Sequence, residues 1–160
     1  MEHLWAPWRL EYIKSADDDG CVFCAAVGGD DVERLVVHRG GHTIVLLNKF
    51  PYASGHFMVS PTRHIGEYSE LYQEEVLELH RFAADGMAAL AELYAPHGYN
   101  LGWNLGRVAG AGVVDHVHLH VVPRWGGDTN FMPVLADVKV LPEHLDETRR
   151  KLADVWPVSG

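Results

Sequence analysis

Basic residues are scarce in this chain of 160 residues: 13 Lys and Arg stand against 22 Asp and Glu, for a formal net charge of −9. They nowhere form a run that could track a nucleic-acid backbone, so no long nucleic acid is expected as a partner, while a small anion held by local groups stays open. No apolar stretch reaches the ~20 residues that a membrane helix needs, and Met1-Glu2-His3-Leu4-Trp5 has neither the basic start nor the apolar run of a signal peptide. A soluble, cytoplasmic chain with no membrane partner is the expectation. Cysteine occurs twice, as Cys21 and Cys24 in one Cys-Val-Phe-Cys segment, which excludes a disulfide framework. Internal repeats and low-complexity linkers are absent, and Asp17-Asp18-Asp19-Gly20 reads as a short solvated loop.

What the chain does have is apolar content, 48% with 16 aromatic residues counted as five Trp, six Tyr and five Phe, enough to fill the core of one domain. The expected domain is 1–160, with 1–30 an N-terminal extension around the cysteine pair. Leu35-Val36-Val37-His38 and Thr43-Ile44-Val45-Leu46-Leu47 flank Arg39-Gly40-Gly41-His42, the pattern of a β-hairpin. A third strand is expected over His56-Phe57-Met58-Val59-Ser60, stopped by Pro61. Apolar residues at Val76, Leu79, Ala83, Met87, Leu90 and Leu93 predict a long helix from about Ser69 to Tyr94. Strands over Tyr99–Leu105 and His116–Val122, joined by a glycine-rich loop from Gly106 to Gly112, and a helix from Pro142 to Val155 with Leu145, Leu152 and Val155 on one face complete the reading. Adjoining strands with helices set apart imply an α+β fold on an antiparallel sheet.

Eleven histidines are present, and three of them alternate in His116-Val117-His118-Leu119-His120-Val121-Val122. On a strand this puts three imidazoles on one face, neighbours ~7 Å apart, and aliphatic groups on the other. Three readings compete: a polar strand face, a three-histidine zinc centre with an open position for water, and a cluster addressing one bound group. For the cysteine pair, zinc binding is favoured over a redox disulfide, because a thioredoxin-like pair opens a helix in a βαβ setting and this one precedes two antiparallel strands. Two thiolates do not by themselves complete a tetrahedral site.

His-Val-His-Leu-His-Val-Val resembles the signature of the histidine triad superfamily of nucleotide hydrolases and transferases. Asn48, then Gly55-His56-Phe57-Met58-Val59-Ser60-Pro61, resembles that family's upstream strand and fourth histidine. Asn100 and Asn104 sit where the family places the strand before the triad. Leu4-Trp5-Ala6-Pro7-Trp8-Arg9 and Val122-Pro123-Arg124-Trp125-Gly126-Gly127-Asp128-Thr129-Asn130-Phe131 are similar to the bacterial branch that contains diadenosine tetraphosphate phosphorylases. The resemblance implies a five-stranded antiparallel sheet with one long helix and a C-terminal helix. It implies His118 as the nucleophile on an α-phosphorus, forming a nucleotidyl-imidazole, with His120 and His56 on the phosphate oxygens. Asn48, Asn104, Gly110 and Gly112 become candidate substrate-binding residues, the glycines through backbone N–H groups. Gly112 stands where much of the family has Gln, Ser or Thr. Cys21, Cys24, His64 and His116 become the ligands of a structural zinc. The substrate implied is a dinucleoside polyphosphate, with nucleoside phosphoramidates, or nucleotide binding with little turnover, as alternatives. A homodimer is expected. Trp5, Trp8, Trp125 and Phe131 are read as packing, base-stacking or dimer residues, Arg124 and Asp128 as residues that follow the triad strand toward the substrate, and the remaining histidines as structural or surface groups.

Overall fold

The computed structural model describes residues 20–128 and 142–157. Trp5, Trp8, Phe131 and the segments 4–9 and 129–131 used above lie outside the described residues, as does most of the 1–30 extension. Five strands form one antiparallel sheet: β1 Val36–Arg39, β2 Thr43–Leu47, β3 Phe57–Pro61, β4 Gly98–Trp103 and β5 Leu119–Arg124, in the spatial order β1-β2-β3-β5-β4. Among the described residues three α-helices accompany them: α1 Val22–Gly28, α2 Gln73–Tyr94 and α3 Leu145–Val155. The α+β class and the antiparallel sheet are as the sequence predicts.

Side-chain alternation gives the sheet two buried faces. Val45, Leu47, Phe57, Val59, Leu119 and Val121 point toward α2 and α3, where Leu79, Phe82, Leu90, Leu152 and Trp156 complete the main core. Ile44, Leu46 and Met58 point the other way and are covered by Phe23 and Ala26 of α1. Because both faces are covered, β2 and β3 are buried at every position, which explains why Thr43–Leu47 reads as a continuous apolar run. His120 pairs with Met58 on β3 and Gly102 on β4, so it stands on the α1 face.

Several elements depart from the sequence reading, each for a local reason. The triad segment enters the ladder only at Leu119, not at His116. Before that point the Val117 N–H donates to Ile65 O at 2.8 Å, and the Val117 carbonyl accepts from the Ser60 hydroxyl at 3.1 Å. Those two bonds satisfy Val117 away from β3. The long helix starts at Gln73, because Tyr68–Glu70 forms a separate 3₁₀ turn whose Glu70 carbonyl accepts from Arg63 at 3.0 Å. Glu75 then reaches back to the Tyr72 N–H at 2.8 Å and pairs with Arg63 at 2.9 Å, fixing the entry to α2. Val76 is exposed and off the core face, whose stripe runs through Leu79, Phe82, Ala83, Gly86 and Leu90. β3 begins at Phe57 and includes Pro61, β4 ends at Trp103, and the last helix begins at Leu145 instead of Pro142. The cysteine pair does open a helix: Cys21 is the residue before α1, a seven-residue element too short to show amphipathic periodicity.

Candidate functional site

Five histidines and two cysteines gather on the α1 face, in two adjoining groups. In the first, Cys21 Sγ lies 3.1 Å from His116 Nδ1, Cys24 Sγ lies 3.2 Å from His64 Nδ1, and Cys24 Sγ lies 3.7 Å from His116 Nδ1. All four donor atoms fall within 4.8 Å of one another. Metal–ligand bonds of 2.0–2.3 Å at tetrahedral angles give donor–donor edges of roughly 3.3–3.8 Å; the three contacts at 3.1–3.7 Å are close to such edges, and the quartet as a whole, wider at up to 4.8 Å, could hold a cation. The tautomers fit as well. His116 Nε2 sits 2.9 Å from the Pro61 carbonyl, an acceptor only, so Nε2 carries the proton and the Nδ1 lone pair faces the sulfurs. Burial pushes the His116 pKa down, with the charges of His64 and His118 adding to it, and the neutral ligand form is favoured. Burial also raises the Cys24 thiol, and neighbouring Cys21 raises it further; a cation at the centre would reverse that balance.

In the second group His118 is 3% exposed and its Nδ1 lies 2.8 Å from the His116 carbonyl. Nδ1 therefore donates, and the Nε2 lone pair is left for chemistry. Burial lowers the His118 pKa, against a smaller upward effect of that hydrogen bond, so the imidazole is held neutral near pH 7. The Phe23 ring packs 4.6 Å from His118 and 5.1 Å from His116. His120 approaches His118 edge-on at 4.8 Å between ring centres, so the two rings lean toward each other relative to the ~7 Å strand spacing. His120 Nδ1 lies 3.0 Å from His56 Nε2, and His56 Nδ1 accepts from the Tyr52 N–H at 3.1 Å. This chain has one consistent proton order: the Tyr52 N–H fixes the proton of His56 on Nε2, that proton bonds to His120 Nδ1, and His120 carries its own on Nε2. His56 is fully buried, with both ring nitrogens engaged. It stands behind His120 and not beside it.

The remaining candidates frame these groups. Asn48 is buried, and its side-chain oxygen accepts from the Phe50 N–H at 2.9 Å, closing the turn that carries Tyr52 under His56. Asn104 is half-buried just beyond β4. In the glycine-rich loop a 3₁₀ turn, Arg107–Ala109, ends at Gly110 with φ of 89°, a left-handed conformation that favours glycine. The N–H groups of Ala109, Gly110 and Ala111 are taken by Gly106 and Arg107 carbonyls. Gly112 follows as a half-buried residue, and Val113 packs against the Phe23 cluster. Arg124, read above with Asp128 as following the triad strand toward the substrate, donates to Asp128 and to the Asn100 side-chain oxygen at the end of β5. Sequence reasoning missed Phe23, Tyr52 and the Pro61 carbonyl. Phe23 was visible as the one aromatic inside the cysteine segment; Pro61 acts through its carbonyl and Tyr52 through its N–H as well as its ring, stacked 5.1 Å from His56, and for the backbone atoms a sequence carries no signal.

A five-stranded antiparallel sheet with a histidine cluster on one face, joined to a Cys₂His₂ quartet, defines a histidine-triad fold. The family model of the HIT domain matches residues 30–127, and the chain belongs to that family. It is 39% identical, over 98% of its length and 85% of the relative, to a Mycobacterium tuberculosis protein named AP-4-A phosphorylase. An adenosine 5'-monophosphoramidase of Schizosaccharomyces pombe is 30% identical over 65% of this chain and 74% of its own. Among solved structures, a zinc-bound histidine triad family protein from Mycobacterium smegmatis superposes with a TM-score of 0.67 at 26% identity, covering 86% of this chain and 93% of the other. Among the described residues no helix is long and apolar enough to cross a membrane.

Proposed function

We propose that this protein cleaves dinucleoside polyphosphates of the diadenosine tetraphosphate kind at an α-phosphorus, through a nucleotidyl intermediate on His118. The observation that carries this reading is His118 itself: a buried, neutral imidazole whose Nδ1 is committed to the His116 carbonyl, which leaves Nε2 as a nucleophile aimed by the fold. In the first step the Nε2 lone pair forms a bond to the α-phosphorus, and the bond to the bridging oxygen breaks. The electron pair leaves with the nucleoside triphosphate, to whose oxygens His120 Nε2–H donates a hydrogen bond that steadies the developing charge. In the second step an oxygen of water or inorganic phosphate displaces His118 and releases the nucleoside mono- or diphosphate. His56 acts through His120, holding its tautomer, so the direct phosphate contact expected from the sequence is replaced by a positioning role. Asn48, Asn104 and Gly112 line the way to the substrate; Gly110 serves the turn that presents Gly112.

The likeness to a protein named AP-4-A phosphorylase over nearly the whole chain supports a polyphosphate over a phosphoramidate as substrate. The donor spacing supports zinc on Cys21, Cys24, His64 and His116, where four protein ligands would hold the loop before β5 in place. His116 thereby belongs to the metal group and His118 and His120 to the phosphate. We further propose a homodimer: β4 is an edge strand whose Leu101 is exposed, and an open edge of this kind favours pairing with a second copy. A single domain spanning 1–160, located in the cytoplasm, is the matching reading of the whole chain.

Incubation with diadenosine tetraphosphate, with and without inorganic phosphate, tests the activity. ATP with ADP identifies phosphate as acceptor, and ATP with AMP identifies water. Absence of turnover with both contradicts the proposal.

A further inference from the structure

Two routes connect the Cys₂His₂ quartet to His118. The first is main chain: the carbonyl that accepts from His118 Nδ1 at 2.8 Å belongs to His116, whose own ring is a member of the quartet. The second is side chain: Phe23 stands between Cys21 and Cys24 on α1 and touches both rings, 5.1 Å from His116 and 4.6 Å from His118. Phe23 is 1% exposed, seated among Ala26, Val36, Ile44, Leu46 and Met58, and that packing leaves it little freedom to turn. α1 has only seven residues, so it depends on its contacts for its place, not on its own hydrogen bonds.

We infer that Phe23 is a positioning residue for His118, and that through Phe23 and the His116 carbonyl the state of the Cys₂His₂ quartet sets the aim of the nucleophile. This rests on the reading of His118 as nucleophile. It adds that the quartet acts on the transfer step and not on stability alone. When the cysteine sulfurs and imidazoles are drawn together around a cation, α1 is pinned at both cysteines and the Phe23 ring is pressed against His118. When they are not, Phe23 and the His116 carbonyl move together, and His118 loses both the wall and the acceptor that fix its Nε2 direction. A displacement on the order of 1 Å at a reacting atom is worth about 10²-fold in rate.

The test uses the zinc-loaded full chain and two variants, Phe23→Leu and Phe23→Met, the second keeping volume and apolarity while removing the ring. Three quantities are read: zinc per chain, affinity for AMP, and the single-turnover rate constant for adenylyl transfer from diadenosine tetraphosphate. A fourth needs no turnover: the ¹H–¹⁵N signal of the His118 Nδ1 proton in histidine-labelled protein. The inference expects both variants to keep one zinc and AMP affinity within about twofold, to lose about 10–100-fold in transfer rate, and to show that signal broadened by solvent exchange. Zinc removal from the wild type by chelation should broaden the same signal. Unchanged rate and unchanged signal in a zinc-loaded variant overturn the role of Phe23, and a sharp His118 signal in the metal-free wild type overturns the link to the quartet. If Phe23→Leu does not fold, Phe23→Met and the chelated wild type still decide. A wild type that transfers no adenylyl group contradicts the nucleophile reading, and the proton signal then reports on the coupling independently.

Discussion

At the residue scale the site is organised by which nitrogen of each imidazole holds the proton. His118 and His116 both donate to main-chain carbonyls, from Nδ1 and Nε2 respectively, while His56 accepts from a main-chain N–H. Each ring thus presents a defined nitrogen to its neighbour. His120→Ala is therefore expected to lower the transfer rate by about 10²–10³-fold, the usual range for losing a positioned hydrogen-bond donor to developing charge, with nucleotide affinity changed severalfold at most. His56→Asn, acting through His120, should cost less; single-turnover kinetics on both variants check the order. Glu78 is a second polar centre, half-buried and accepting from the N–H groups of Gly41, His42 and Thr43 and from the Thr43 hydroxyl. Burial alone would raise its pKa, but those donors outweigh burial and leave it lowered. A carboxyl lowered in the folded state stabilises above its unfolded value of about 4.3, and the contribution disappears as pH falls through the folded value. Glu78→Gln should accordingly cost about 1–2 kcal/mol at pH 7, a cost that shrinks in acid, as urea denaturation across pH 3–7 would show. The sequence displayed the triad and the cysteine pair because side-chain identity carries their chemistry. It hid the Tyr52 N–H and the Pro61 carbonyl, main-chain groups that carry no mark in the identity of the residue.

At the scale of elements, α2 lies so close to β3 that the space for a side chain at one helix position vanishes. A Cβ built at Gly86 would stand 2.3 Å from Phe57 Cζ, and Phe57 is a fully buried member of the main core. Gly86→Ala must therefore push α2 from the sheet despite its better helix propensity, at about 1–3 kcal/mol; a stability equal to or above wild type in denaturant titration would contradict the packing described. The hairpin β1–β2 was legible because two apolar runs flank a glycine turn, and the core of α2 because its buried positions repeat with a period of about 3.6. The start of β5 was not, since the same alternating residues stay extended while Val117 takes its partners from Ile65 and Ser60. Nor was α1 legible, being held by Phe23 and Ala26 in the second cluster and by Arg39, which donates to the carbonyls of Ala26, Val27 and Gly29 at its C-terminal end.

For the molecule as a whole, the quartet joins parts of the chain far apart in sequence: Cys21 and Cys24 before the sheet, His64 after β3, His116 before β5. A cation that binds the folded state alone stabilises it by about 4 kcal/mol when present at a thousandfold its dissociation constant. Chelation should thus lower the melting temperature of the wild type and leave that of Cys21→Ser nearly unchanged, as calorimetry with metal analysis would register. Light scattering should give twice the mass of one chain if β4 pairs with its counterpart.

The central claim is that His118 becomes covalently nucleotidylated. Rapid quenching of the protein with diadenosine tetraphosphate, followed by mass spectrometry of the peptide containing residues 116–124, measures it directly. The account predicts one adenylyl group on His118 in the wild type and none in His118→Asn, which should still bind AMP and retain its metal. A wild type that turns over with no such adduct, or an adduct that persists in His118→Asn, would contradict it.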